Sequence, residues 1–246
     1  LDDLQSALRE AESDSGVSVI IIKGAGRSFS AGYDIAPREP GTYGATAVLD
    51  DMIRLEEQDK KITAIWDVRR PVIAQVHGYC VAGGNDIAGQ CDIIIAAENA
   101  TFMHPQIRRL GLTWMHMAAY HIGPQWAKIL MFTGDSISGK KAEQIGLVAK
   151  SVPEDKLEEE VNQLASRIAL VGLGELITNK MAINRVIEEM GLRNALNTGI
   201  LLDTIAHTTP PVQDFRTKAE EKGLKETLAE NEAPFKEIPR ATIMDD

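Results

Sequence analysis

The chain has 246 residues, 44% hydrophobic and 25% charged, with a net charge of -10. That composition suits a soluble globular protein, and its acidic balance excludes a general nucleic-acid surface, though not a local basic pocket for a phosphorylated ligand. No apolar run reaches membrane-spanning length and no signal peptide opens the chain, so no membrane partner and a cytoplasmic setting are expected.

Only two cysteines occur, Cys80 and Cys91, without a CxxC spacing; they read as buried thiols in a reducing compartment, and no metal site is expected. Leu1 to Glu12 carries apolar residues at helical spacing. The sequence opens directly in that helix, which leaves room for a preceding segment. Val17 to Ile22 is a β-branched run and is expected to be a strand buried on both faces. Gly24 and Gly26 then resemble the start of a dinucleotide fingerprint. Phe29 stands where its third glycine belongs, so nucleotide binding of that type is not expected.

Residues 36–44 hold two prolines and two glycines and are expected to be a loop of the kind that borders sites, and 45–66 has the pattern of a long helix. Val72-Ile73-Ala74 reads as a buried strand. It leads into Val81-Ala82-Gly83-Gly84-Asn85-Asp86, a glycine turn before a short helix. Such a turn either presents unpaired N–H groups to an anionic oxygen or is a plain tight connection. Strands are expected at 93–97, 101–103 and 147–152, with helices from Pro124 and over 140–145. Arg108 and Arg109 supply local positive charge. From Pro153 the pattern is helical, with segments at 175–190, 192–207, 211–222 and 224–230 and a loose tail over 231–246. Strand–helix alternation implies parallel strands. Leu196, Ile200 and Leu201 read as an apolar stripe for an oligomer contact.

Two glycine turns follow two buried strands: Ser30-Ala31-Gly32-Tyr33-Asp34 and Val81 to Asp86. This pair, with Arg70 to Gly78, Cys91 to Ala96, Leu130 to Asp135 and Ala142 to Val148, resembles the crotonase (enoyl-CoA hydratase/isomerase) family. The resemblance implies an α/β fold, a spiral of ββα units over residues 1–172 with the family's first strands missing. It implies a C-terminal helical region over 173–246 used as lid or in assembly into trimers or hexamers. It also implies an acyl-CoA substrate and no separate cofactor, coenzyme A being part of that substrate. The thioester oxygen is expected between the backbone N–H groups of Tyr33 and Gly83. Arg27, Ala31, Asp34, Ile35, Gly84, Gln106 and Trp114 are expected to line the substrate, and Lys23 and Arg27 to meet coenzyme A.

The family's two glutamates map onto Asp86, one methylene shorter, and Gln106, which has no proton to trade. Asp86 is therefore the expected proton carrier, against the alternative of an acid that merely complements a helix dipole. The stretch 111–123 departs from the family pattern and brings Trp114, Met115, His116 and His121 near the acyl pocket. His116 is the candidate to replace the lost acid. A hydrolase using that histidine, and a family member that binds acyl-CoA without turnover, are the rival readings.

Overall fold

The computed structural model describes residues 1–35, 48–112 and 117–244. The elements to the middle of the chain are α1 (Asp2–Ser13), β1 (Ile20–Lys23), α2 (Val48–Asp67), β2 (Val72–Val76), β3 (Tyr79–Val81), α3 (Gly83–Gly89), β4 (Ile93–Ala97) and β5 (Thr101–Met103). They are followed by α4 (Met117–Thr133), β6 (Ile137–Ser138), α5 (Gly139–Gln144) and β7 (Lys150–Val152). The rest is helical: α6 (Leu157–Ala169), α7 (Leu173–Glu189), α8 (Leu192–His207), α9 (Pro210–Lys222) and α10 (Leu224–Glu237). This is the expected mixed α/β architecture with a helical C-terminal region.

Two small sheets carry the strands. In the first, β1, β2, β4 and β7 lie side by side, all parallel, with Ile73 opposite Ile93 and Ile21 opposite Ile73. In the second, β3 pairs parallel with β5, and β5 pairs antiparallel with β6. The β5–β6 pairing corrects the all-parallel expectation. Every residue of β2 is buried, which explains why it opens on the unbroken apolar run Val72-Ile73-Ala74 rather than on an alternation. The run before β1 differs: β1 lies at the edge of its sheet and is only partly buried, so burial on both faces does not hold.

The core joins the sheets to the helices. Ile62 and Ile65 of α2, Val161 of α6, and Leu192, Leu196 and Ile200 of α8 belong to one apolar cluster with the strands. Leu196 and Ile200 thus face inward, while Leu201 is 51% exposed, so the three do not form one outward stripe. The tail is also more ordered than expected. α10 continues to Glu237, and Met244 is buried in the same cluster. Lys180 of α7 donates to Asp92 Oδ2 at 2.8 Å and to the Arg70 carbonyl at 3.0 Å, docking the helical region on the start of β2.

Candidate active site

The two glycine turns lie against each other because the chain before the first one pairs with β3. The Phe29 N–H donates to the His77 carbonyl at 2.8 Å, the Ser30 N–H to the Tyr79 carbonyl at 2.9 Å, and the Val81 N–H to the Ser30 carbonyl at 3.0 Å. Gly32 then takes φ +97°, and a Cβ there would stand 3.0 Å from the Ala82 Cβ and 3.6 Å from the Gly83 nitrogen. The tyrosine ring that follows covers the second turn: a Cβ on Gly83 would come within 2.7 Å of Tyr33 Cε2. Only glycine permits backbones and ring to approach this closely.

Ala82 carries strain at this point. It holds φ 49° and ψ -116° ahead of α3, a conformation that costs a non-glycine residue about 1–3 kcal/mol. Neighbours fix it in place. The Ala82 N–H donates to the Met103 carbonyl at 3.0 Å. The Asn85 side-chain amide donates to the Cys80 and Met103 carbonyls at 2.8 and 2.9 Å. Among the described residues, neither the Tyr33 nor the Gly83 N–H meets an acceptor.

Asp86 sits one turn into α3 and is 4% exposed. Its Oδ2 lies 3.5 Å from the Tyr33 hydroxyl, and its buried Oδ1 has no hydrogen-bond partner among the described residues. Burial first, then the nearby charge of Asp203, pushes the Asp86 carboxyl up to about 8, against a smaller lowering by the Tyr33 hydroxyl. Asp86 is thus a neutral acid at pH 7. The Tyr33 hydroxyl is itself raised well above its ordinary value, by burial and then by Asp86, so it stays a donor. An acid that only complemented the helix dipole would be solvated and ionised; Asp86 is neither.

Gln106 lies in a short 3-10 turn, Pro105–Ile107, with its Nε2 3.4 Å from Nδ1 of the buried His104. The arginines beside it correct one expectation. Arg108 is buried and taken by Asp135 at 2.7 Å and Glu232 at 2.6 Å, under the Phe235 ring, so it offers no charge to a ligand. Arg109 is exposed, with φ 73°. His121 has a buried Nδ1 without a hydrogen-bond partner among the described residues, and burial lowers its basicity.

The structure therefore brings Tyr33, Gly83, Gly84 and Asp86 together. Ala31 and Asp34 are exposed beside them and Ile35 is partly buried. Arg27 is exposed, and Lys23 pairs with Glu158 at 3.0 Å. His116 and Trp114 lie outside the described residues. Among the described residues, no group of three or more His, Cys, Asp or Glu is placed to hold a metal, and no helix is long and apolar enough to cross a membrane. Both cysteines are free and buried.

Sequence reasoning missed Asp203, His207 and Asp51. His207 Nδ1 meets Asp51 Oδ2 at 2.6 Å, and its Nε2 stands 3.5 Å from Asp203 Oδ1. Burial raises the Asp203 carboxyl, against the opposing effect of His207. For Asp51, burial would also raise the carboxyl, but hydrogen bonds from His207 and Arg54 outweigh it and hold it at about 2. One signal was present in the sequence: Asp203 is a lone acid in the apolar run 199–206, and such an acid on a buried face needs a partner.

Comparison with known proteins shows the family and the fold. A family model described as enoyl-CoA hydratase/isomerase matches residues 1–233. A crotonyl-CoA hydratase of Syntrophomonas wolfei is 30% identical over 95% of this chain and 86% of its own length. The mitochondrial enoyl-CoA hydratase of Pongo abelii is 35% identical over 69% of this chain, which spans 57% of that protein. Among solved structures, an enoyl-CoA hydratase from Mycobacterium smegmatis superposes with a TM-score of 0.87 at 30% identity, covering 94% of this chain and 83% of the other. An enoyl-CoA hydratase/isomerase from Xanthobacter autotrophicus superposes with a TM-score of 0.89 at 28% identity, covering 97% and 88%. The chain belongs to the enoyl-CoA hydratase/isomerase family of enzymes.

Proposed function

We propose that the chain converts an acyl-CoA thioester by way of an enolate, with the thioester oxygen held by the N–H groups of Tyr33 and Gly83 and a proton carried by Asp86. The observation that supports it most is the juxtaposition of the two turns, whose Tyr33 and Gly83 N–H groups meet no acceptor among the described residues, with the buried Asp86 carboxyl, which burial pushes toward its protonated form. Charge develops on the thioester oxygen as the enolate forms. Donors already in place stabilise it without reorganising, and each is worth about 3–4 kcal/mol of barrier. Asp86, held neutral, gives its proton to the α-carbon of the enolate, and its carboxylate takes one back in the reverse step. Gln106 holds a water or an acyl group by hydrogen bonds and trades no proton.

Coenzyme A meets the protein near the first turn, where Arg27 is exposed. Arg27→Ala should weaken its binding and flatten the salt dependence; unchanged affinity across salt removes Arg27 from the site. The active form is a trimer or a pair of trimers. Exposed Met181, Ile183 and Val186 on α7 and Leu202 and Ile205 on α8 supply apolar surface for it. Light scattering that shows a monomer at micromolar concentration rejects the assembly.

A panel of acyl-CoA thioesters incubated with the protein and read by mass spectrometry tests the function. A mass gain of one water marks hydration, and an unchanged mass with shifted absorbance marks isomerisation. Binding without conversion of any thioester rejects the reading.

A further inference from the structure

We propose that the Tyr33 side chain determines substrate specificity: its ring is the wall against which the α-carbon of the acyl group lies, and it selects thioesters whose α-carbon carries no branch. The proposal rests on the acyl-CoA reading, which uses only the N–H of that residue.

One side chain spans both halves of the site. At its edge the ring lies on Gly83: a Cβ there would stand 2.7 Å from Tyr33 Cε2, 2.9 Å from Cζ and 3.0 Å from Cδ2. At its tip the hydroxyl lies 3.5 Å from Asp86 Oδ2. The ring is partly buried and packs on the apolar core, which holds it in this place. The flank of the next residue is closed as well. A Cβ on Gly84 would stand 2.9 Å from the Ser30 Cβ and 3.0 Å from the Ser30 carbonyl oxygen. The start of α3 is thus bordered by Ser30 at Gly84 and by a flat aromatic surface at Gly83.

The reaction confines the α-carbon to that surface. The carbonyl carbon joins the oxygen held at Gly83 to the α-carbon, so the α-carbon lies two bonds from that oxygen. The same α-carbon has to come within about 3–3.5 Å of the Asp86 carboxyl to exchange a proton with it. Both conditions are met alongside the ring that touches Gly83 at one end and reaches Asp86 at the other. An unbranched α-carbon, saturated or in a flat double bond, fits against an aromatic face. An α-methyl group has to enter the space of the ring or turn the α-carbon away from Asp86. A packed apolar wall yields little to an added methyl group. The Tyr33 hydroxyl need not trade a proton for any of this.

The test compares two thioesters that differ by that one methyl group, butanoyl-CoA and 2-methylbutanoyl-CoA. Neither has a double bond to hydrate, so their affinities are read by isothermal titration calorimetry without turnover. The wild type should bind the unbranched thioester about tenfold more tightly. Tyr33→Phe keeps the ring and should keep that ratio. Tyr33→Ala keeps the backbone N–H and removes the ring, and its ratio should fall by about tenfold, because the branched thioester gains most. An unchanged ratio in folded Tyr33→Ala overturns the proposal. So does an equal gain by both thioesters, which would make the ring a plug over Gly83 rather than a wall. Should Tyr33→Ala fail to fold, Tyr33→Val is read by the same criterion. If the wild type binds neither thioester, the acyl-CoA reading itself fails and the wall with it. Binding without discrimination overturns the wall alone.

Discussion

Two buried ionisable groups are treated in opposite ways. Arg108 has a hydrogen bond from each of its three guanidinium nitrogens, to the Thr133 carbonyl, Glu232 and Asp135, and the Phe235 ring lies over it. Asp86 has a hydroxyl at 3.5 Å, an unpartnered oxygen and a second acid nearby, with no cation paired to it among the described residues. Arg108 is a structural ion, and its neutralised surroundings fasten α10 to the turn beyond Gln106. Asp86 is left poorly compensated, so its proton is easily exchanged. Destabilisation accepted at one point, and compensation at the other, mark chemistry in the first place and architecture in the second.

Breaking the compensated corner should have the largest effect on stability. Arg108→Leu leaves Asp135 and Glu232 facing an apolar side chain, and breaking a buried ion pair costs about 3–5 kcal/mol; because both acids are partly exposed, the lower end is expected. A urea melt reads it, and a loss below about 1 kcal/mol would mean that the corner is solvated. Asp51→Asn comes next. Its carboxylate is charged, so each of its hydrogen bonds with His207 and Arg54 is charge-assisted and worth about 1.5–3 kcal/mol. Their contribution is present above the ordinary 3.8 and fades as pH falls toward about 2. Asp51→Asn should therefore be less stable at neutral pH and lose that difference in acid.

Asp86 gives the opposite slope. From its ordinary 3.8 to about 8 the folded chain keeps a proton that the unfolded chain releases. Its contribution is present below that window and is lost as pH rises through it. In Asp86→Asn the fall in urea midpoint between about pH 5 and about pH 8 should be shallower than in the wild type. An equally steep fall would show that Asp86 titrates like a solvated carboxyl. The smallest effect belongs to Lys23→Ala. Its pair with Glu158 is exposed on both sides, so the change in melting should correspond to less than about 1 kcal/mol.

The contrast also explains what the sequence revealed. The backbone half of the site is legible because its signal is two short glycine turns, even though the group that crowds Gly83 is the Tyr33 ring of the other turn. That much could be read directly, as could α8, whose bounds Leu192–His207 match its punctuation by Gly191 and the proline at 210. The charged half is not local. Asp86 owes its proton partly to Asp203, over a hundred residues away, and Asp203 owes its place to Leu112, His207 and Asp51. No spacing rule links those positions. The same holds for Arg108, which reads as a free cation until Glu232 is placed beside it. The tail looked aperiodic because Met244 packs singly, and one side chain makes no period. β6 was hidden for a similar reason, since two residues paired to β5 leave no alternation to see.

The central claim is that Asp86 moves the proton of an acyl-CoA enolate. An acyl-CoA that the wild type converts is incubated in deuterium oxide with wild type and Asp86→Asn, and turnover and deuterium at the α-carbon are read by mass spectrometry. The account predicts rapid α-carbon labelling by the wild type. In Asp86→Asn labelling and turnover should fall together by roughly 10²–10⁴, with thioester affinity nearly unchanged because the backbone donors remain. Turnover of Asp86→Asn within a few-fold of wild type would contradict it.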